Sequence, residues 1–190
     1  VMHLNKLGFD QISVEPVVTD PELPYALTEK DLPAIAEEYE KLSKLLIERK
    51  KNGTGFNFFH FMIDLNQGPC AIKRLRGCSC GNEYVAVTPE GDIYPCHQFV
   101  GMDEWKMGSV LDDSVNIEMK KMFSKANIYS KEECADCWAK FYCSGGCAAN
   151  AFHATGSIRG VYEAGCELFR KRIECAIMMK VAEDSAKANG

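Results

Sequence analysis

The 190-residue chain lacks several features that mark common classes of protein. It has no apolar run long enough to cross a bilayer, and its first residues lack the basic and apolar regions of a signal peptide. It also lacks an excess of basic residues, because its formal net charge is −5. We therefore expect a cytoplasmic globular protein that binds neither membranes nor nucleic acid. Because the chain begins at Val1 rather than at Met, we also expect a fragment of a longer protein.

Cysteine, by contrast, is abundant, with ten residues in the chain. One explanation is the disulfide framework of a secreted protein. Against it stand the missing signal peptide and a length sufficient for the chain to build its own hydrophobic core. In a reducing cytosol, clustered cysteines are more often metal ligands. The composition therefore favours metal or iron–sulfur sites over disulfides.

The first third of the sequence has the pattern of a strand, a helix and a second strand. Residues 11–18 form a short segment rich in β-branched residues, which indicates a strand. Thr28 and Asp31 have the pattern of a capping box at the start of a helix. An apolar stripe at helical spacing follows, formed by Leu32, Ile35, Tyr39, Leu42 and Leu46. Residues 56–63 are aromatic and apolar, as in a strand buried on both faces. This pattern predicts a βα crossover unit, which needs further strands to bury both faces of its sheet. The loop after the first strand leaves the carboxyl end of that strand, which is the catalytic face in barrel enzymes.

Glycine, cysteine and turns dominate from about residue 68, and we place a boundary near residue 76. Residues 84–94 predict a β-hairpin that turns through Pro89 and Gly91. Residues 114–124 predict a short amphipathic helix. A last helix is predicted from Glu163 to Ala182, with an apolar stripe through Phe169, Ile173, Ile177 and Val181.

Eight of the cysteines follow a regular order. Cys78-Ser-Cys80 precedes the hairpin, and Cys96 stands five residues after Gly91. The later ligand candidates are Cys134-x2-Cys137-x5-Cys143-x3-Cys147 and then Cys166. Such spacing suits a [4Fe–4S] cube, which takes up to four thiolates. A four-cysteine zinc site from Cys134, Cys137, Cys143 and Cys147 is the strongest rival, since zinc fingers use similar local spacings. Cys70 and Cys175 lie outside the pattern and are expected to be buried small apolar residues rather than ligands, although Cys70, which is close to the first cluster's segment, stays a less favoured ligand candidate.

This order resembles the seven-cysteine signature of SPASM domains, which lie at the carboxyl end of radical SAM peptide maturases. Gly-Asn-Glu-Tyr-Val-Ala-Val-Thr-Pro-Glu-Gly-Asp-Ile-Tyr-Pro-Cys-His-Gln-Phe looks most like the thioether-forming maturases of six-cysteine (SCIFF) peptides. The segments Ile-Ser-Val-Glu-Pro-Val and Phe-Phe-His-Phe resemble late barrel strands of the same family. The resemblance implies an α/β fragment, with residues 1–76 supplying late βα units of a partial TIM-like radical SAM barrel. Residues 77–190 would then form a small α+β SPASM domain with a β-hairpin and a C-terminal helix.

The resemblance also implies two auxiliary [4Fe–4S] clusters with interleaved ligands. One would be held by Cys96 and Cys147 with a cysteine before the hairpin, where the family pattern favours Cys78 but leaves Cys80, or both, open. If only three cysteines bind, one iron is open to a substrate thiolate. The other would be held by Cys134, Cys137, Cys143 and Cys166.

The implied whole enzyme would use S-adenosylmethionine (SAM) and its [4Fe–4S] cluster, a precursor peptide, and an electron donor such as ferredoxin or flavodoxin. The Cys-x3-Cys-x2-Cys motif that binds the SAM-cleaving cluster is absent, so we expect this part alone to be inactive. His97 stands where sulfatase-maturing relatives carry an aspartate base, which disfavours that chemistry and makes His97 a candidate catalytic or substrate-facing residue. The alternatives are carbon–carbon crosslinking, epimerisation, sulfatase maturation, or a non-enzymatic zinc or iron–sulfur docking module.

Overall fold

A computed structural model describes residues 1–18, 23–65 and 70–188. These residues form two compact units. The first unit combines the described residues up to 65 with those from Glu163 onward, and the second contains the residues from 70 to Tyr162. The chain therefore divides between residues 65 and 70 and again after Tyr162, and the C-terminal helix groups with the first unit. The roles assigned to residues 1–76 and 77–190 stay predictions.

The regular elements are given in chain order. The helices of the described residues are α1 (Met2–Lys6), α2 (Leu32–Lys51), α3 (Ile117–Lys125), α4 (Glu132–Ala135), α5 (Lys140–Cys143), α6 (Ala148–Thr155) and α7 (Glu163–Ala188). The strands are β1 (Gln11–Ile12), β2 (Asn57–Phe58), β3 (Ala86–Val87), β4 (Asp92–Tyr94), β5 (Gly108–Ser109) and β6 (Ser114–Val115). No helix of the described residues is both long and apolar enough to span a bilayer.

The first unit contains the predicted βα crossover. Strands β1 and β2 pair in parallel, with Ile12 opposite Phe58. Parallel neighbours need a long connection, and α2 supplies it. Helix α7 packs along α2. The shared core is formed by Ile12, Tyr39, Leu46, Phe56, Phe58, Phe61, Leu168 and Cys175.

The start and the buried face of α2 match the sequence pattern. The backbone N–H of Thr28 donates to Asp31 Oδ2 at 2.8 Å, and the reciprocal contact completes the capping box. This box caps a single 3-10 turn, Glu29–Asp31, that leads directly into α2. Tyr39 and Leu46 of the apolar stripe are buried. The prediction of this helix is confirmed.

Both predicted strands of the first unit are much shorter than expected. Residues 11–18 keep only the two-residue β1, and residues 56–63 keep only β2 before a 3-10 turn, Phe59–Phe61. The prediction that residues 56–63 are buried on both faces is wrong, because Phe59 is 65% exposed. Within the described residues, β1 and β2 pair only with each other and are not part of a larger parallel sheet of the kind whose two faces are both covered.

The predicted apolar stripe of α7 is also wrong in its second half. Ile173 is buried, but Ile177 and Val181 are exposed. The buried face instead includes Arg172, which is 7% exposed and donates from Nε to the Tyr39 hydroxyl at 3.1 Å. On the buried face of α7, where the apolar pattern predicts only hydrocarbon side chains, the guanidinium of Arg172 is therefore buried because it has a hydrogen-bond partner.

A four-stranded antiparallel sheet in the order β3-β4-β5-β6 forms part of the second unit. Its first two strands are the predicted hairpin, which is confirmed, with Val87 opposite Ile93. Gly91 makes the turn with φ +90°, and its N–H donates to the Thr88 carbonyl at 2.9 Å. This backbone conformation is strained for residues that carry a Cβ.

The helix predicted for residues 114–124 begins later than expected, at Ile117. Ser114 and Val115 form β6, and the Asn116 side chain caps α3 by accepting from the Met119 N–H at 2.9 Å. Asparagine is a strong N-cap residue, so it sets the start of the helix after the strand.

An aromatic core supports the second unit. Phe99 has no exposed surface, and its ring centroid lies 4.8 Å from that of Trp105 and 5.8 Å from that of Phe123. Cys80 and Cys96 are buried in the same cluster. The core therefore places cysteine side chains among aromatic rings that exclude water.

Candidate iron–sulfur sites

The ten cysteines all lie in the described part of the chain, and none of them forms a disulfide. Those of the predicted pattern fall in two groups in the second unit, with Cys166 in the first unit. The first cysteine set is Cys78, Cys80, Cys96 and Cys147, and the second cysteine set is Cys134, Cys137 and Cys143.

The first cysteine set shares one electrostatic neighbourhood. The hydrogen bond that the Cys80 thiol donates to Cys78 raises the pKa of Cys80, and burial and the nearby Cys78, Cys96 and Cys147 raise it further. The same hydrogen bond lowers the pKa of Cys78 to about 6. The thiols of this set therefore lie close enough to influence one another, although they come from before the hairpin, after it and the start of α6.

A tight turn positions the thiols of Cys78 and Cys80. Ser79 has φ +54° and Gly81 has φ +68°. The Gly81 N–H donates to the carbonyls of Tyr84 and Pro95, at 2.8 and 3.0 Å. A Cβ at Gly81 would lie 2.6 Å from Cγ of Phe123, so glycine is required here by both backbone and packing. The turn thus joins Cys80 to the end of β4.

The other two members of the first set have polar support. Burial raises the pKa of Cys96, and the backbone N–H groups of Gln98 and Phe99, which donate to its sulfur, act in the opposite direction. Gln98 also donates from Nε2 to Cys147 Sγ at 3.8 Å. Cys147 is the N-cap residue of α6, so its side chain lies at the N-terminal end of that helix.

The second cysteine set is built on α4, α5 and the turn that follows them. Burial raises the pKa of Cys134, against the effect of the nearby Lys131, and Cys137 is another close neighbour. Burial also raises the pKa of Cys143, whose sulfur accepts from the N–H groups of Gly146 and Gly145. The N–H groups of this turn are therefore aimed at a sulfur, an arrangement typical of anion-binding nests.

A run of left-handed residues forms that turn. Ser144, Gly145 and Gly146 have φ of +58°, +83° and +73°. Left-handed backbone is readily adopted by glycine and rarely by other residues. The two glycines between Cys143 and Cys147 therefore let the chain pass from the second cysteine set to the first.

The chemistry of both sets fits iron–sulfur clusters. Each set offers thiols, and N–H donors to sulfur are characteristic of cluster sites. Among the residues that the structure describes, no three or more His, Cys, Asp or Glu side chains are arranged to hold one metal ion. Cluster ligands need no such single centre, because each thiolate binds a different iron of the cube.

The remaining candidate residues lie in different surroundings. His97 is exposed close to Cys78 and makes the smallest contribution to the lowered pKa of that thiol, whose main cause is the hydrogen bond from Cys80. Cys175 is buried in the first unit, as expected, whereas Cys70 is exposed and that expectation is wrong. Cys166 lies in the first turn of α7, and its role as a ligand stays a prediction.

Sequence patterns missed two sets of residues. Lys131 is buried beside the second cysteine set, and the rings of Phe99, Trp105, Phe123 and Phe152 pack around the first. Lysine is normally a surface residue, so no pattern in the sequence indicates that Lys131 is buried. The aromatic residues are scattered over residues 99–152, and only folding brings them together.

Residues 78–138 match the SPASM family, described as an iron–sulfur cluster-binding domain. This segment resembles a SPASM domain. It includes Cys78, Cys80, Cys96, Cys134 and Cys137, while Cys143, Cys147 and Cys166 follow it. An uncharacterized protein of Archaeoglobus fulgidus is 31% identical over 142 residues, which cover 70% of this chain and 34% of that protein.

Solved structures share the fold. Histidine-tagged anSMEcpe with bound AdoMet matches 96% of this chain and 50% of its own, with a TM-score of 0.64 and 21% identity. Native anSMEcpe with bound AdoMet and the Cp18Cys peptide matches 96% of this chain and 53% of its own, with a TM-score of 0.64 and 20% identity. The chain thus spans about half the length of these structures and about a third of the archaeal relative.

Proposed function

We propose that this chain is part of a radical SAM enzyme that modifies a peptide, and that it binds two auxiliary [4Fe–4S] clusters. The observation that carries the proposal is the division of the cysteines into two sets, five members of which lie in residues 78–138, a segment similar to an iron–sulfur domain. A single zinc site would need one group of converging ligands. Two sets, each with N–H donors to sulfur, suit two clusters better.

We assign the first cysteine set to one cluster and the second set, completed by Cys166, to the other. Within the first set, Cys78 is exposed and Cys80 is buried against the aromatic core. We favour Cys78 as the ligand, with Cys80 as its hydrogen-bond partner. With three ligands, one iron of this cluster would be open to the thiolate of a bound peptide.

The protein's own residues would protect and tune these clusters. The rings around Phe99 exclude water from Cys80 and Cys96 of the first cysteine set, and water exclusion is one factor that sets cluster potential. The N–H groups of Gly145 and Gly146 would offset negative charge at the second set. When bound, the clusters would supply electron transfer and a binding position for a substrate sulfur.

For the whole protein we propose the formation of thioether bonds in a cysteine-rich precursor peptide. Support comes from the sequence around the hairpin and from the histidine at position 97, where an aspartate would favour sulfatase maturation. The likeness to anSMEcpe, solved with AdoMet and with a peptide, supports a SAM-dependent reaction on a peptide. An external electron donor such as ferredoxin or flavodoxin would be required.

Metal content tests the cluster proposal. The full-length protein, purified without oxygen, should be brown and should hold roughly eight irons in the two auxiliary sites, in addition to those of the SAM cluster. Cys143→Ala should lose one cluster, whereas the matched change Cys175→Ala, in the apolar core, should lose none. A colourless protein with stoichiometric zinc would contradict the proposal.

Mass spectrometry of the product tests the chemistry. Incubation with SAM, reductant and a cysteine-rich peptide should yield a product that keeps all its sulfur and loses only hydrogen for each crosslink. Conversion of cysteine to formylglycine would lose the sulfur, and epimerisation would leave the mass unchanged. Either of these results would refute thioether formation.

A further inference from the structure

Lys131 is an unusual residue of the second unit, because it is only 4% exposed. Lysine is almost never fully buried unless it is paired. Its Nζ donates to the Gly145 carbonyl at 2.8 Å, and it forms no ion pair with a carboxylate of the described residues. A buried positive charge without a carboxylate is costly, so this position calls for another negative partner.

The second cysteine set supplies such a partner. The charge of Lys131 opposes the effect of burial on the pKa of Cys134. The carbonyl that Lys131 binds belongs to the turn whose N–H groups donate to Cys143. Lys131 therefore lies beside one thiol of the set and fixes the backbone that supports another.

Lys140 offers a comparison within the same unit. Its Nζ also donates to a backbone carbonyl, that of Ala135, and its charge also acts on Cys134. Lys140 is only half-buried, however, so solvent screens its charge more strongly. The two lysines differ mainly in burial.

We infer that Lys131 is a positioning residue that fixes the Gly145–Gly146 turn and holds a buried positive charge beside Cys134 of the second cysteine set, favouring the reduced state of the cluster there. The inference rests on the proposed function. A reduced cluster carries one more negative charge than an oxidised one, so a fixed positive charge stabilises it more.

The test is a redox titration of the full-length protein, followed by electron paramagnetic resonance. The signal that disappears in Cys143→Ala identifies the second cluster. In Lys131→Met we expect the ratio of reduced to oxidised second cluster to fall about tenfold at a fixed potential, a shift of about 59 mV to more negative values for one electron. Lys131→Arg should stay close to wild type, and Lys140→Met should shift clearly less.

Iron content separates the possible failures. Wild-type protein without iron would overturn the proposed function and this inference with it. Full iron content with an unchanged potential in Lys131→Met, or an equal shift in Lys140→Met, would overturn this inference alone. If Lys131→Met loses iron, the redox potential of the second cluster is measured in Lys131→Gln instead, because glutamine keeps a hydrogen-bond donor without the charge. An unchanged potential in that variant would overturn the inference. Loss of iron in the Met, Gln and Arg variants alike would show that only the shape of lysine matters and would also overturn it.

Discussion

Gly81→Ala should destabilise the second unit through a clash that the turn before the hairpin cannot relieve. The new Cβ would lie 2.6 Å from Cγ and 2.7 Å from Cδ2 of Phe123. Phe123 is 3% exposed and packs against Phe99 and Trp105, so its ring has little room to move. Any movement of the turn would instead displace Cys80, which precedes Gly81 directly.

Two effects add up in this variant. Alanine at φ +68° costs about 1–2 kcal/mol, because its Cβ approaches the backbone carbonyl. Overpacking against a fixed ring costs about 1–3 kcal/mol more. The expected loss in the free energy of unfolding is therefore about 2–5 kcal/mol, a large part of the ~5–15 kcal/mol typical of a domain.

Gly101→Ala is the matched control, since Gly101 has φ +89° in the same unit and nothing within 4 Å of the added Cβ. It should lose only the backbone contribution of about 1–2 kcal/mol. Both tryptophans, Trp105 and Trp138, lie in the second unit, so urea unfolding followed by tryptophan fluorescence reports on that unit. Equal losses in the two variants would refute the argument from the Phe123 contact.

Three further predictions follow from the cysteine sets and the first unit. Cys143→Ala should remove roughly four irons per chain, measured by iron analysis, while Cys175→Ala should remove none; equal iron in both would contradict the ligand assignment. In the cluster-free protein the pKa of Cys78 is about 6, so its alkylation rate should rise with pH through that value, because the thiolate is the nucleophile. Cys80→Ala removes the hydrogen bond and should move this rise to higher pH; an unchanged profile would count against the bond. Arg172→Met should destabilise the first unit by about 1–3 kcal/mol, seen as faster hydrogen exchange in α2, since the buried Tyr39 hydroxyl loses its donor; unchanged exchange would argue against this role.

Local features of the fold were predictable because their causes lie within a few residues. The Thr28 capping box and the turn at Gly91 depend on neighbouring backbone groups, and the structure has both. The cysteine spacing indicated an iron–sulfur domain, and residues 78–138 match one. The ligand sets themselves stay predictions, as does the role of Cys166.

Features that depend on long-range packing were not predictable. Residues 56–63 have the composition of a buried strand, yet Phe59 is exposed, because burial depends on which elements cover each face. Ile177 is exposed while Arg172 is buried, because Tyr39 on α2 offers the guanidinium a partner from far away in sequence.

The spacing of the cysteines, the hairpin between them and the capped helix of the first unit all follow from neighbouring residues, because short-range chemistry sets each of these. The folded chain, in contrast, is needed to see that thiols distant in sequence gather in two neighbourhoods and that Lys131 is buried beside one of them. Burial and charge proximity arise when segments distant in sequence pack together, and no local pattern contains that information.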